Sequence, residues 1–257
     1  MSTLKLDISA NGIARLTLNR PDRHNAFDEA MIDDLTQIFS VLGDNPAVRV
    51  VVLNGAGESF CAGGDLNWMQ RAAQKTEAEN EADALALATM LHTLNTCPKP
   101  VIGLIHGACF GGGVGLAACC DMVVAAPDAR FGLTEVRLGL IPAAISPFVV
   151  AKIGAAARRY FLTGERFSAD EARRIGLVHE VKAGLDAAAA PLIDGLLASG
   201  PQAVADAKAL IGDVTGRTID NELLRLTARR IAARRASDEG REGIAAFLEK
   251  RKPGWVR

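Results

Sequence analysis

"VIGLIHGACFGGGVGLAACC", residues 101–120, contains no charged residue at all. A helix of this length is long enough to cross a bilayer. The stretch nevertheless holds six glycines, three of them consecutive at Gly111 to Gly113. Each would weaken a lone helix by about 1 kcal/mol relative to alanine. It divides better into a buried strand, "PVIGLIHG", a glycine turn, and a short buried helix, "GVGLAACC". A turn this rich in glycine lets backbone N–H groups approach a partner closely. At a helix N-terminus that partner is commonly an oxygen carrying negative charge.

Outward from this run, strands and helices alternate. "TLKLDISANGIARLTLN" predicts a hairpin: Leu4, Leu6 and Ile8 alternate with polar residues, as do Ala14, Leu16 and Leu18, and Asn11-Gly12 supplies the turn. After the loop "RPDRHNAF", an amphipathic helix places Met31, Leu35, Ile38 and Leu42 on one face. "VRVVVLNG" reads as a strand covered on both faces. The loop "GAGESFCAGGDL" follows, then a helical stretch from Thr76 to Asn95, and "DMVVAA" gives a further strand after residue 120. The fold class expected is α/β. Beyond about residue 182 strand signals vanish, and helices are expected over 184–198, 201–214, 218–236 and 238–249. The chain therefore divides into an α/β core, 1–182, and a C-terminal helical subdomain, 183–257.

The 257 residues are 49% hydrophobic with a net charge of -1, so no basic field advertises nucleic acid or an anionic membrane. Five cysteines without regular spacing predict neither a disulfide framework nor a zinc site, and point to a reducing compartment. "MSTLKLDISA" lacks the apolar core of a signal peptide, so a cytoplasmic protein is expected.

Two glycine loops follow strands, "SFCAGGDL" at 59–66 and "HGACFGGGVG" at 106–115. Each is either a tight strand-to-helix turn, with Asp65 as a helix cap, or one half of an oxyanion hole. Neither is a P-loop, and no GxSxG elbow occurs.

"SFCAGGDL", "HGACFGGGVGL", "CDMVVAAPDARFGLTEVRLGLIP", "LTGERFSADEARRIGLVHEV" and "AFLEKRKPGW" together resemble the enoyl-CoA hydratase/isomerase (crotonase) superfamily. The likeness runs from "LNRPDRHNAF" to the end of the chain. It implies a crotonase-like spiral of ββα units with a C-terminal helical region, assembled as a homotrimer or homohexamer. It also implies an acyl-CoA substrate, with no metal and no separate cofactor, since coenzyme A enters as part of the substrate.

By position in the motifs, the resemblance makes the N–H groups of Ala62 and Gly112 the oxyanion donors and Glu135 the catalytic carboxylate. Arg23, His24, Ala26 and Lys250 would approach the coenzyme A moiety, Arg23 being otherwise a solvated cation and Lys250 part of an ordinary basic tail, and Gly63, Gly64, Asp65 and Leu66 would line the substrate. The family's other catalytic glutamate falls at Gly115, which departs from a two-glutamate mechanism. The vacated space is read either as room for a branched, carboxylated acyl group or as a turn glycine without such a role. Trp68 and Met69 either floor the acyl pocket or belong to the core. Arg137 is either a surface ion-pairing group or faces that pocket. His106 is expected to be a core histidine bonded to backbone.

"GLAACCDM" and "TEVRLGLIPAAISPFVVAKIG" are most similar to bacterial methylglutaconyl-CoA hydratases. That subgroup implies hydration of 3-methylglutaconyl-CoA in leucine catabolism, the alternatives being a Δ3,Δ2-enoyl-CoA isomerase or a general short-chain hydratase. Some members also bind AU-rich RNA through a lysine-studded helix. The corresponding "DEAMIDDLTQIFSVLGDN" has no Lys or Arg, which excludes phosphate neutralisation by that face. A serine protease on the same fold would need a nucleophilic Ser and a His in matching positions, and no such motif is present.

Overall fold

The computed structural model describes residues 3–256. β1 (Leu4–Ile8) and β2 (Ile13–Leu18) form the expected antiparallel hairpin, with Leu4 opposite Leu18 and Ile8 opposite Ala14. Ala14, Leu16 and Leu18 are buried, but Leu6 and Ile8 stay exposed, because β1 is an edge strand that no helix covers at those positions. α1 (Glu29–Asp44), β3 (Val50–Gly55), α2 (Leu66–Ala72) and α3 (Glu77–Thr96) follow. The uncharged run contains β4 (Val101–Ile105), β5 (Ala108–Phe110) and α4 (Gly112–Cys119). Next come β6 (Met122–Ala125), β7 (Arg130–Gly132), α5 (Ser146–Ile153), α6 (Ala157–Thr163), β8 (Arg166–Ser168), α7 (Ala169–Arg174) and β9 (Glu180–Val181). The chain closes with α8 (Leu185–Ala198), α9 (Pro201–Val214), α10 (Asn221–Ala236) and α11 (Asp238–Leu248).

The larger sheet has the order β1-β2-β3-β4-β6-β9 and is parallel from β2 onward. A second sheet, β5-β7-β8, lies beside it. The strand expected over 100–107 is β4, and the segment expected as a glycine turn holds a second short strand, β5, in the other sheet. The corner is Gly107, at φ +55, where a side chain would begin 1.9 Å from the Glu58 carbonyl oxygen. Only glycine fits there, and the turn carries the chain from one sheet to the other.

The parallel strands are apolar on both faces. Val51, Leu53, Val101, Ile105 and Val123 belong to the main core with residues of α1, α3 and α4. Val50, Val52, Ile102, Leu104 and Val124 pack under α8, against Leu185, Leu192, Ile193 and Leu196. Burial of each such aliphatic side chain contributes about 1.5–3 kcal/mol. α8 is therefore a layer of the core, and the boundary drawn at 182/183 moves: the helices that stand off the sheet begin at α9.

The remaining C-terminal helices are anchored where the strands begin. Asp121 accepts hydrogen bonds from Val101 N–H at 2.7 Å and from Lys208 of α9 at 2.7 Å. Arg49, just before β3, donates to the Ser199 carbonyl at 2.6 Å and caps the end of α8. The opposite ends of the strands are left to the glycine loops. No helix among the described residues is long and apolar enough to cross a membrane.

Candidate active site

Loop 59–65 is fastened on both sides by backbone hydrogen bonds. Toward β5, Cys61 N–H donates to the Ala108 carbonyl at 3.1 Å and Phe110 N–H to the Cys61 carbonyl at 2.9 Å. Toward the loop after β2, Phe27 N–H donates to the Gly63 carbonyl and Asp65 N–H to the Phe27 carbonyl, both at 2.7 Å. The fully buried Asn25, at φ +54, locks that loop in place. Its amide donates to the carbonyls of Ala56 and Ser59 at 2.8 Å, and its oxygen accepts from Arg20 N–H at 2.8 Å.

The two glycine loops meet at Gly63 and Gly111. A side chain on Gly111 would begin 3.9 Å from Gly63 Cα and 3.2 Å from Oε1 of Glu135. Glu135 opens a short 3-10 turn after β7, which brings its carboxylate over the start of α4. Oε2 of this carboxylate is shielded from water and has no hydrogen-bond partner. Burial pushes the Glu135 carboxyl above its ordinary value, partly offset by its own backbone amide.

α4 begins at Gly112 without a side-chain cap, so its first N–H groups have no acceptor within the helix. Gly112 thus offers a donor, as the motif implied. The other expected donor requires correction. Ala62 N–H is already given to the His24 carbonyl at 2.9 Å. Gly63 N–H faces the sulfur of Cys61, whose thiol burial pushes up to about 12. Gly64 N–H, by contrast, has no acceptor among the described residues. In the first loop the free donor is two residues further on than the motif suggested.

Of the two roles open to Asp65, the structure shows the helix cap. Its carboxylate accepts from Asn67 N–H at 2.8 Å and Trp68 N–H at 3.2 Å, and it pairs with Arg20 at 3.2 Å. Burial alone would raise it, yet these amides and Arg20 hold it below the ordinary carboxylate value. Asp65 caps α2 and is not available to a substrate. Leu66, the next residue, is exposed on the rim.

Gly115 is not a lining residue either. It is buried one helical turn beyond Gly111, and its N–H donates to the Gly111 carbonyl at 3.2 Å. A side chain there would begin 2.6 Å from Ile145 Cγ2 and 3.4 Å from Leu91 Cδ1. The room left by the missing glutamate is filled by Ile145, so it is not open to a substrate branch.

At the mouth, Arg23 and His24 are exposed, and Ala26 is buried beneath them. His24 Nδ1 lies 3.0 Å from Ser59 Oγ. His106 meets the Gly57 carbonyl through Nε2 at 2.9 Å, bonded to backbone as expected but half-buried rather than in the core. Lys250 is elsewhere. It belongs to the tail that docks through Trp255, which donates to the Ala198 carbonyl, at the end of the sheet where β3 begins. It does not join this chain's own site. No group of three or more His, Cys, Asp and Glu among the described residues is placed to hold a metal.

A half-buried carboxylate thus stands beside two glycine loops, each of which leaves a backbone N–H without an acceptor among the described residues. The sequence profile of the enoyl-CoA hydratase/isomerase family matches residues 9–257, and the chain belongs to that family. It is 34% identical to an enoyl-CoA hydratase of Alternaria alternata, over 94% of this chain and 80% of that one. It is 31% identical to the peroxisomal Δ(3,5)-Δ(2,4)-dienoyl-CoA isomerase of Arabidopsis thaliana, over 96% and 94% of the two chains. The crystal structure of an enoyl-CoA hydratase from Shewanella pealeana superposes with a TM-score of 0.96 at 44% identity, covering 98% of this chain and 96% of that one. The spiral architecture and the enzyme class expected from the motifs are those of this protein.

Because Ile145 and a residue-115 side chain compete for one space, Gly115→Ala should destabilise the fold by about 1–3 kcal/mol. Ile145→Ala in the same chain should recover part of that loss in a double-mutant cycle followed by denaturant unfolding. Simply additive losses would show that the two positions do not share the space.

Proposed function

We propose that this protein hydrates a branched, carboxylated 2-enoyl-CoA, 3-methylglutaconyl-CoA, to 3-hydroxy-3-methylglutaryl-CoA, a step of leucine catabolism in the cytoplasm. The observation that carries the chemistry is the position of Glu135 over Gly111, with Gly112 N–H and Gly64 N–H free on the facing loops. The choice of acyl group is supported by the motifs around 115–122 and 134–154. No metal or redox cofactor enters this reading.

The reaction runs through one carboxylate. Water adds its oxygen to Cβ and gives a proton to Glu135. The double-bond electrons move toward the thioester, whose oxygen gains negative charge and is held by the two N–H groups. Fixed donors bind this oxygen more tightly as its charge grows, which lowers the barrier. Glu135 then returns its proton to Cα. A single acid/base group thus serves both proton transfers, and both occur on one face of the double bond. The same carboxylate would also suit a Δ3,Δ2-isomerase, taking a proton at C2 and returning it at C4. That second reading is favoured by the absence of a carboxylate at residue 115.

Exposed apolar side chains support association with further copies of the chain: Leu138, Leu140 and Ile141 after Glu135, and Phe247 and Leu248 at the end of α11. We read the assembly as a homotrimer or homohexamer, in which Lys250 of one copy is free to meet the coenzyme A of another.

Hydration of 3-methylglutaconyl-CoA measured against crotonyl-CoA and a 3-enoyl-CoA at equal concentrations decides among these readings. The branched, carboxylated thioester should be turned over fastest, and preference for the 3-enoyl-CoA would replace hydratase by isomerase. Glu135→Gln should lower kcat by about 10²–10⁴ with little change in thioester affinity. A loss below about tenfold would assign the base elsewhere.

The pH profile follows from the raised Glu135 carboxyl. The base must be ionised, so kcat/KM should fall as pH drops through a value above the ordinary carboxylate range. Stability has the opposite sign. A folded-state carboxyl raised above its unfolded value loses stability as pH rises through that interval. Glu135→Gln should remove both dependences. An acid limb within the ordinary carboxylate range would show that burial does not act on the base.

The donor at Gly64 is separable from its side-chain position. A Cβ there meets only Trp68 and Met69 at ordinary contact, from 3.5 Å, so Gly64→Ala should keep most activity. Gly64→Pro deletes the N–H and should cost about 10²–10³ in kcat if the chain still folds by circular dichroism. Equal activity of the two folded variants would place the hole elsewhere.

A further inference from the structure

Among the described residues, two buried side-chain polar atoms have no hydrogen-bond partner: Oε2 of Glu135 and Nε1 of Trp68. The reaction uses the first. It has no task for the second. An unpaired buried donor costs about 1–3 kcal/mol, and native proteins keep few without a purpose.

Trp68 is held in place from both ends. Its backbone amide is tied to the Asp65 carboxylate at 3.2 Å, which fixes the start of α2. Its ring packs against the core, with Cε3 3.5 Å from where a Gly64 side chain would begin. The indole therefore lies beside the proposed Gly64 donor, on the loop whose other side faces Gly111 and Glu135. Three cations close to α2 in the fold are already engaged. Arg71 pairs with Glu29, Lys75 with Asp83, and Arg20 with Asp28 and Asp65. On α2 the indole N–H is left as a buried donor without a partner.

We propose that Trp68 is a specificity-determining residue whose Nε1–H donates to an oxygen on the acyl chain, beyond the double bond. The site then favours an acyl-CoA ending in a carboxylate over one with a plain alkyl end. This deepens, and rests on, the assignment of an acyl-CoA substrate to the Glu135 site. A donor without a partner in the free protein gives strong discrimination, because the ligand lacking the oxygen leaves it unpaired.

Trp68→Phe keeps an aromatic ring and deletes the N–H. Binding of two unreactive thioesters, glutaryl-CoA and butyryl-CoA, which differ in the terminal carboxylate, reads the selectivity without turnover. The variant should bind glutaryl-CoA about 10- to 100-fold more weakly and butyryl-CoA within about twofold of wild type. Its melting temperature should change little, since removal of an unpaired donor offsets the packing lost with the smaller ring. In turnover the same asymmetry should appear in KM for glutaconyl-CoA against crotonyl-CoA.

Equal loss on both thioesters with a lowered melting temperature would make Trp68 a core residue and overturn the proposal. No loss on glutaryl-CoA would overturn it as well. Failure of the wild type to hydrate either enoyl-CoA would defeat the hydratase reading, while the binding comparison still decides the role of Trp68.

Discussion

The structure depends on one close approach, that of Gly63 to Gly111, with the Glu135 carboxylate alongside. Both positions call for glycine through their backbone, at φ +97 and +50, and a side chain would begin 3.1 Å from the Phe110 carbonyl oxygen at Gly63 and 3.2 Å from Glu135 Oε1 at Gly111. The approach is held by hydrogen bonds that involve no side chains, from β5 on one flank and from residues 24–27 on the other. Those bonds also consume the N–H groups of Cys61, Ala62 and Asp65, which leaves the Gly64 N–H without an acceptor among the described residues. Donor placement is thus a residue of the pairing pattern: what the ladder does not use, the substrate can.

Local pattern was enough for most of the fold. The hairpin, the first amphipathic helix, the continuously apolar β3 and the four C-terminal helices follow from side-chain periodicity, which burial enforces. Three features needed three dimensions. The split at Gly107 was hidden because a corner between two sheets and a tight turn carry the same glycine signal. The membership of α8 in the core was hidden because its apolar face says that it is buried, not against what. Leu6 and Ile8 alternate like buried residues, yet an edge position leaves them exposed.

At the site, residue types were legible and hydrogen-bond accounting was not. Glu135, Gly112 and the two loops were readable from motifs and turn chemistry. Ala62 failed as a donor because its partner, the His24 carbonyl, lies 38 positions away in the chain, beyond any local signal. Asn25 carries no local signal for the same reason: its three bonds reach Arg20, Ala56 and Ser59. Ile145 was missed because an apolar residue filling a glycine's space leaves no mark on either segment alone. Asp65 carried a usable clue, since Asp directly before a helix is a capping signal first and a ligand second.

The electrostatics of Glu135 combine two opposing influences. The N-terminus of α4 carries a partial positive charge that favours an ionised carboxylate nearby. Burial opposes ionisation, and burial prevails, so the carboxyl is raised. A second carboxylate at residue 115 would have added like-charge repulsion one helical turn away and raised it further. Ile145 occupies that position with apolar atoms instead. The base is thereby made stronger than a solvated carboxylate without a neighbour to share its proton. In the proposed reaction this is what lets one group take a proton from water and return it to carbon, with no other acid competing for it within that wall of α4.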